Sequence, residues 1–233
     1  MATSPPPPAQ PSGREALLAA ARSELAEHGH AHISLRAVAR RAGVSHAAPK
    51  HHFRDRAGLL TAVAAEGFDA LTASLERAVD ADERWPLGAL GKAYIDFGLA
   101  SPALIDLMFR PSELHPSDPD LRHAQERALG ALASAVSVAS GPAASIGDDD
   151  DITELSMTSW ALVHGLVVLT RDGALPAAVG ASTPQAAAAL AHRLADVFTA
   201  RAFPALTATG TAPPARQRDG RRAQRGRQDA AAS

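Results

Sequence analysis

The chain has no cysteine among its 233 residues, so neither a disulfide nor a thiolate-held metal site is open to it. Aromatic residues make up only 4%, with a single tyrosine and two tryptophans, so any place where rings gather stands out. No stretch alternates apolar and polar residues as a half-buried strand does, and no unit recurs at a fixed period. The opening Met1-Ala-Thr-Ser-Pro-Pro-Pro-Pro lacks the basic start and apolar run of a signal peptide. The longest strongly apolar stretch, Trp160 to Leu169, is well short of the roughly 20 residues that span a bilayer. These absences predict a cytoplasmic protein with no membrane partner. Catalysis has little to stand on either, because no Ser/His/Asp or Cys/His arrangement, phosphate-cradling glycine loop or paired carboxylates occur. No enzyme activity and no cofactor are expected.

What is present is an ordinary globular composition, 46% hydrophobic and 21% charged, with charge unevenly spread. Residues 1–60 carry eight Lys/Arg against four Asp/Glu, residues 61–206 nine against nineteen, and residues 207–233 six against two. A basic head on an acidic body suits a protein that sets one end against an anionic polymer, although small domains also differ in charge by chance. The Pro-rich residues 1–11 and the Arg-rich residues 207–233 have almost nothing to bury and are expected to be disordered. Between them, Ala/Leu-rich segments place apolar residues three and four apart between Pro, Gly and Asp, which predicts an all-α protein.

The predicted helices follow from their punctuation. A first helix starts at a Ser12 cap, with Glu15 completing a capping box, and ends at Gly29. Ser34 caps a second that stops at Gly43, and Ser45 caps a third running to Phe53. A long fourth, from about Asp55 to Asp80, carries the stripe Leu60, Ala64, Phe68, Leu71, Leu75 and Val79. Pro86 and Pro102 begin two more, and others cover about 118–140, 152–171 and 184–203. Asp148 to Asp151 precede Ile152 where negative charge complements a helix N-terminus; a solvated loop or a weak cation site is the alternative reading.

Function is carried by Ile33 to Phe53. Two short helices joined by Ala42-Gly43-Val44-Ser45, locked through Leu35, Val38, Ala39, Val44 and Phe53, have the form of a helix-turn-helix. The second helix then offers Ser45, His46, Ala47, Ala48, Lys50 and His51, a small and polar set that can approach base edges. The histidines at 28, 30, 32, 46, 51 and 52 fall on different segments, so no metal site is expected, and His52 is expected to pack and hydrogen-bond beside Phe53.

The run Ser34-Leu-Arg-Ala-Val-Ala-Arg-Arg-Ala-Gly-Val-Ser45, with His52-Phe53 and Asp55-Arg-Ala-Gly-Leu-Leu60, resembles the tetracycline-repressor (TetR) family of bacterial regulators. The resemblance implies a three-helix DNA-binding domain (12–56), a helical ligand-binding and dimerisation domain (57–206), and release from DNA when ligand binds. Carried onto this sequence, it implies DNA contacts from Ser34, Arg36, Val44, Ser45, His46, Ala47, Ala48, Lys50, His51, His52 and Arg56. Two departures stand out. Lys50 replaces a tyrosine that touches phosphate in the family, and Pro49 crowds the first turn of the recognition helix. Pro49 is tolerable there if the turn is open or 3₁₀-like.

The later rings gather at Tyr94, Phe97, Met108-Phe109 and Trp160-Ala-Leu-Val-His-Gly165, which resembles a TetR subgroup with a Trp-x-x-x-His-Gly signature. Tyr94, Phe97, Met108, Phe109, Trp160 and His164 are the candidate lining of an effector cavity, with ordinary core as the alternative. The helices at 152–171 and 184–203 resemble the pair that joins its twin in a four-helix bundle, so a homodimer is expected. The expected partners are a double-stranded DNA operator, an unknown small-molecule effector and a second copy of the chain. The competing reading is a helical carrier or enzyme in which the N-terminal motif is only structural; an activator would share the repressor's fold.

Overall fold

The computed structural model describes residues 13–82, 84–140, 149–180 and 183–203, and every regular element among them is helical. Both expected disordered tails, the Ser12 cap and Asp148 lie outside the described residues. Helix α1 (Gly13–His28) leads through Gly29 and a 3₁₀ turn at His30–His32 into α2 (Leu35–Ala42). Ser34 caps α2 as its sequence position predicts, its Oγ accepting from the Ala37 N–H at 3.2 Å. Gly43 ends α2 with φ 68°, a left-handed conformation that costs glycine nothing, and its N–H donates back to the Arg40 carbonyl at 3.2 Å.

The third helix is shorter than the sequence predicts. Helix α3 runs Ala48–Phe53, with Ala47 as its N-cap and no side-chain cap bond, so Ser45 does not cap it. Residues 45–48 instead form a tight turn, closed by the Ala48 N–H donating to the Ser45 carbonyl at 3.0 Å. Pro49 accounts for this: it has no N–H to give, so it fits only in the first turn of a helix, where none is needed. Helix α4 (Arg56–Ala81) follows at once, capped by Asp55, whose Oδ1 accepts from the Gly58 N–H at 2.7 Å.

The body comprises α5 (Pro86–Ala100), α6 (Pro102–Met108), a 3₁₀ turn at Pro111–Glu113, α7 (Pro119–Ser140), α8 (Asp149–Arg171), α9 (Ala174–Val179) and α10 (Pro184–Ala202). Helix α8 begins at Asp149 rather than at Ile152, so the acidic run supplies its first turn, where the helix dipole favours negative charge. Helix α9 is absent from the sequence reading because its six residues, set between Gly173 and Gly180, are too few to display a period.

The packing centres on α4 and α5. Helix α4 contacts α5, α6 and α7 in the body and α1 and α3 in the head; α5 in turn contacts α7, α8 and α10. One continuous apolar cluster runs from Leu17, Leu18, Val38 and Phe53 through Leu59, Leu60 and Val63 to Ile95, Leu107 and Val167. By length and composition Asp151–Arg171 is the one helix among the described residues able to cross a bilayer. Within the bundle it buries Val163, Leu166 and Val167 against neighbouring helices.

Helices α5 and α8 meet most closely at Gly98, where a Cβ would stand 2.6 Å from Val167 Cγ1 and 2.8 Å from its Cγ2. Val167 is fully buried and has no open side to move toward. Gly98→Ala is therefore expected to destabilise the protein by about 1–3 kcal/mol, overpacking outweighing the helix propensity gained. Urea denaturation of the variant beside the unmodified chain checks this; an unchanged or raised midpoint would show that the contact has slack.

Candidate DNA-binding face and effector cavity

The α2–α3 unit presents a face to solvent. Ser34, Arg36, Ser45, His46, Ala47, Lys50, His51 and His52 are exposed, whereas Val44 and Ala48 are half-buried and pack against the core. The turn at 45–48 places the exposed residues at the leading end of α3, with Lys50 one turn further on. Among the described residues Arg36, Arg40 and Lys50 have no side-chain hydrogen bond or ion pair, so their charges are uncommitted. His52 packs beside Phe53 as expected, its ring tilted at 6.1 Å and edge-on to His51 at 5.3 Å, but without the expected hydrogen bond among the described residues. Arg54, which sequence reasoning passed over, closes α3 with φ 65°, the only positive φ outside glycine among the described residues.

Two other basic residues of the head are taken up by partners within the chain. Arg41 donates from Nε to Glu24 at 2.7 Å and from Nη1 to Glu27 at 2.5 Å, fastening α2 to α1. Arg56, expected from the resemblance to meet DNA phosphate, is occupied elsewhere. Its Nη2 donates to the His30 carbonyl at 2.5 Å, its Nε to the Ile33 carbonyl at 3.0 Å, and its Nη1 to Glu113 at 2.5 Å. The guanidinium thus ties the His30–Ile33 link, the start of α4 and the Pro111–Glu113 turn into one clamp. No periodicity reveals this, because the acceptors are backbone carbonyls and a carboxylate far along the chain.

The clamp has a second arm. The His115 N–H donates to Thr61 Oγ1 at 2.8 Å, and His115 Nε2 lies 3.0 Å from Asp55 Oδ1. The Gly58 N–H first, and His115 after it, hold the Asp55 carboxyl below the usual carboxylate range. The hydrogen bond from Arg56 likewise lowers Glu113. Both contributions are present above the ordinary carboxylate range and are lost as pH falls through the lowered folded-state values.

Behind the clamp, α4, α5, α7 and α8 border a cavity of about 240 Å³ that opens to solvent beside Leu129. Three of the six residues singled out from sequence line it: Tyr94, Phe109 and Trp160. His164 stands just behind, 4.8 Å from the Phe109 ring and 5.7 Å from the Trp160 ring between centroids. The other two lie elsewhere. Met108 is buried where α6 crosses α4, facing Gly67, and Phe97 packs on the core outside the lining. The remaining walls come from residues that sequence reasoning took for plain core or did not consider, among them Phe68, Leu71 and Leu75 of α4, Gln125, Ala128 and Leu132 of α7, and Met157 of α8. The apolar stripe on α4 was legible; that part of it borders a space was not.

The polar atoms of this wall are joined to one another. Trp160 Nε1 donates to the Tyr94 hydroxyl at 3.2 Å, and that hydroxyl lies 2.9 Å from His164 Nδ1. Burial pushes the Tyr94 phenol well above its ordinary value and holds His164 below its own, so the phenol keeps its proton and the imidazole is neutral at pH 7. With its proton on Nε2, the neutral ring accepts a hydrogen bond from the Tyr94 hydroxyl at Nδ1; in the other tautomer Nδ1 donates to that hydroxyl. No group of three or more His, Asp or Glu side chains able to hold a metal occurs among the described residues.

Comparison with known proteins agrees with this architecture in both halves. A family model described as bacterial regulatory proteins, tetR family, matches residues 17–63, and one described as tetracyclin repressor-like, C-terminal domain, matches residues 87–198. A solved protein of unknown function from Rhodococcus sp. RHA1 is 34% identical over 84% of this chain and 98% of its own, with a TM-score of 0.69. The TetR-family regulator PfmR from Thermus thermophilus is 18% identical over 79% of this chain and 97% of its own, with a TM-score of 0.56. The TetR-like regulator LfrR from Mycobacterium smegmatis, solved with proflavine, is 22% identical over 79% and 95%, with a TM-score of 0.53. No curated protein matches the chain. With a helix-turn-helix head, a helical body and both family domains in order, the chain belongs to the tetracycline-repressor family of DNA-binding transcriptional regulators.

Proposed function

We propose that the protein is a homodimeric repressor that leaves its operator when a small molecule fills the cavity between α4, α5, α7 and α8. One observation carries the reading: an exposed recognition element with uncommitted cations and an apolar cavity are joined by a short strap. Phe109 forms part of the cavity wall, and the next few residues reach Glu113 and His115, which grip Arg56, Asp55 and Thr61 at the start of α4. A ligand that displaces the Phe109 ring pulls on the segment that sets the angle of the head. That coupling is the differential contact a ligand needs in order to shift a conformational equilibrium.

On the DNA side, Ser34, Arg36, His46, Ala47, Lys50 and His51 are the residues we assign to the major groove and its flanking phosphates. Arg56 we assign to the clamp. Arg36, Arg40 and Lys50 have the freedom to neutralise phosphate that Arg41 and Arg56 lack. We also place the chain in the subgroup with the Trp-x-x-x-His-Gly signature, because Trp160 and His164 meet Tyr94 in one hydrogen-bonded set. Dimerisation is supported by the outward faces of α8 and α10. Leu169 is 47%, Leu194 36% and Val197 53% exposed, and a Cβ at Gly165 would meet nothing within 4 Å. Trp160, His164, Ala187 and Ala191 face the protomer's own interior, so the partner's face is narrower than the full helix surfaces.

Two measurements test the assignment. Fluorescence anisotropy with a duplex from the region upstream of the protein's own coding sequence is expected to give tight binding that weakens steeply with salt. Lys50→Ala should weaken it on all sequences alike and reduce the log–log salt slope by about one. Salt-insensitive binding, or a loss confined to some sequences, would contradict a phosphate role for Lys50. The second concerns Arg56→Lys, which keeps the charge but cannot reach three acceptors at once. Hydrogen exchange is expected to speed up at residues 30–34 while the salt slope stays as in the unmodified chain. If the lysine kept exchange protection, and Arg56→Ala lowered the slope by about one, Arg56 would be a phosphate contact after all.

A further inference from the structure

The lining of the cavity bears on the kind of molecule that enters it, given the effector role proposed above. Among the described residues the lining includes no Asp, Glu, Lys, Arg or His side chain. The titratable groups in and just behind this wall, Tyr94 and His164, offer no counter-charge: Tyr94 keeps its proton and His164 is neutral. Arg171 and Asp106, which act on His164 from behind, are already paired with each other at 2.6 Å. A carboxylate or ammonium group carried to the inner wall of this space, away from its open side, sheds hydration and meets no partner. The aromatic rings do not offset that loss for a cation. Cation–π attraction is smaller than the lost hydration, and the Phe109 ring is already packed against Phe68 at 5.4 Å, Trp160 at 5.4 Å and His164 at 4.8 Å.

Polar recognition in the cavity is narrow. The Tyr94 hydroxyl is held between Trp160 and His164, and the Trp160 N–H is already given to it. Gln125 is the other polar side chain of the lining; it is half-buried, and its amide has no hydrogen-bond partner among the described residues. An amide both donates and accepts, so it suits a hydroxyl or a carbonyl equally. Size narrows the class further. A cavity of about 240 Å³ exceeds the roughly 150 Å³ that holds benzene and falls below the roughly 300 Å³ at which drug-sized pockets begin.

We propose that the effector is a small, uncharged, largely apolar molecule of about ten to fifteen non-hydrogen atoms with one hydroxyl or carbonyl group. Its apolar body lies against Phe68, Leu71, Phe109 and Trp160, and its polar group meets the Gln125 amide. Charged metabolites and polyols are excluded by the same lining that admits it.

The chain's two tryptophans make the test direct, because Trp85→Phe leaves Trp160 as the sole indole, in the cavity wall. In the full-length variant, checked for native helicity by circular dichroism, Trp160 fluorescence is titrated with 4-propylphenol, propylbenzene, 4-propylbenzoate and 4-propylbenzylamine. The phenol is expected to give a saturable change, with the benzoate and the benzylamine binding at least tenfold more weakly. Gln125→Leu is expected to weaken the phenol at least fivefold and to leave propylbenzene within twofold. A charged isostere that binds as tightly as the phenol overturns the proposal, as does no saturable change up to the phenol's solubility limit. An unchanged phenol affinity in Gln125→Leu overturns the assignment of the polar contact. Operator binding of the same unliganded protein is read in parallel by anisotropy. Intact operator binding with no phenol response sinks this inference alone, whereas phenol binding by a protein that ignores DNA sinks the repressor reading and leaves the ligand class standing.

Discussion

The burial of α4 on several sides is the constraint on which the rest of the molecule depends. Its first turns carry Leu59, Leu60 and Val63 into the same apolar cluster as Leu17, Val38 and Phe53 of the head. A few turns later Phe68, Leu71 and Leu75 form one wall of the cavity. Each of these large side chains contributes on the order of 1.5–3 kcal/mol by leaving water, so the helix cannot be eased from either partner cheaply. Head and cavity therefore share a rigid member, and a change at one end of it is felt at the other.

The basic residues divide along the same line. Arg41 and Arg56 are consumed internally, one fastening α2 to α1 and the other gathering three segments at the root of α4. Arg36, Arg40 and Lys50 are left facing water. A head that used all its cations for its own cohesion would have little left for an anionic polymer, and one that used none would rest on short helices alone. The sequence count of charges does not distinguish these uses, because partner and distance decide them.

Much of the head was legible before any coordinates. Ser34 and Gly43 mark the ends of α2 through chemistry local to a few residues, and Pro49 already signalled that the next helix opens irregularly. The start of α3 slipped from Ser45 to Ala48 because a serine that looks like a cap loses to a proline that withholds an N–H. In the body, helix positions followed from Pro and Gly punctuation, and the spacing of four put Trp160 and His164 on one face; that the Tyr94 hydroxyl meets both is a tertiary fact their spacing does not carry. What sequence could not supply was tertiary. Arg56 reads as a surface cation until the His30 and Ile33 carbonyls arrive beside it. Leu71 and Leu132 read as core until a space opens between their helices, and Met108 reads as a pocket residue until Gly67 lets it sink against α4.

The mutual hydrogen bonding of Tyr94, Trp160 and His164 has a consequence for selectivity. Side chains that have satisfied one another exert little directional demand on a guest, and what remains of recognition is girth, dryness and a lone amide at Gln125. Such a wall sorts visitors by bulk rather than by pattern. On the effector role proposed above, a sensor furnished in this way answers to a whole chemical neighbourhood, reporting exposure more than identity.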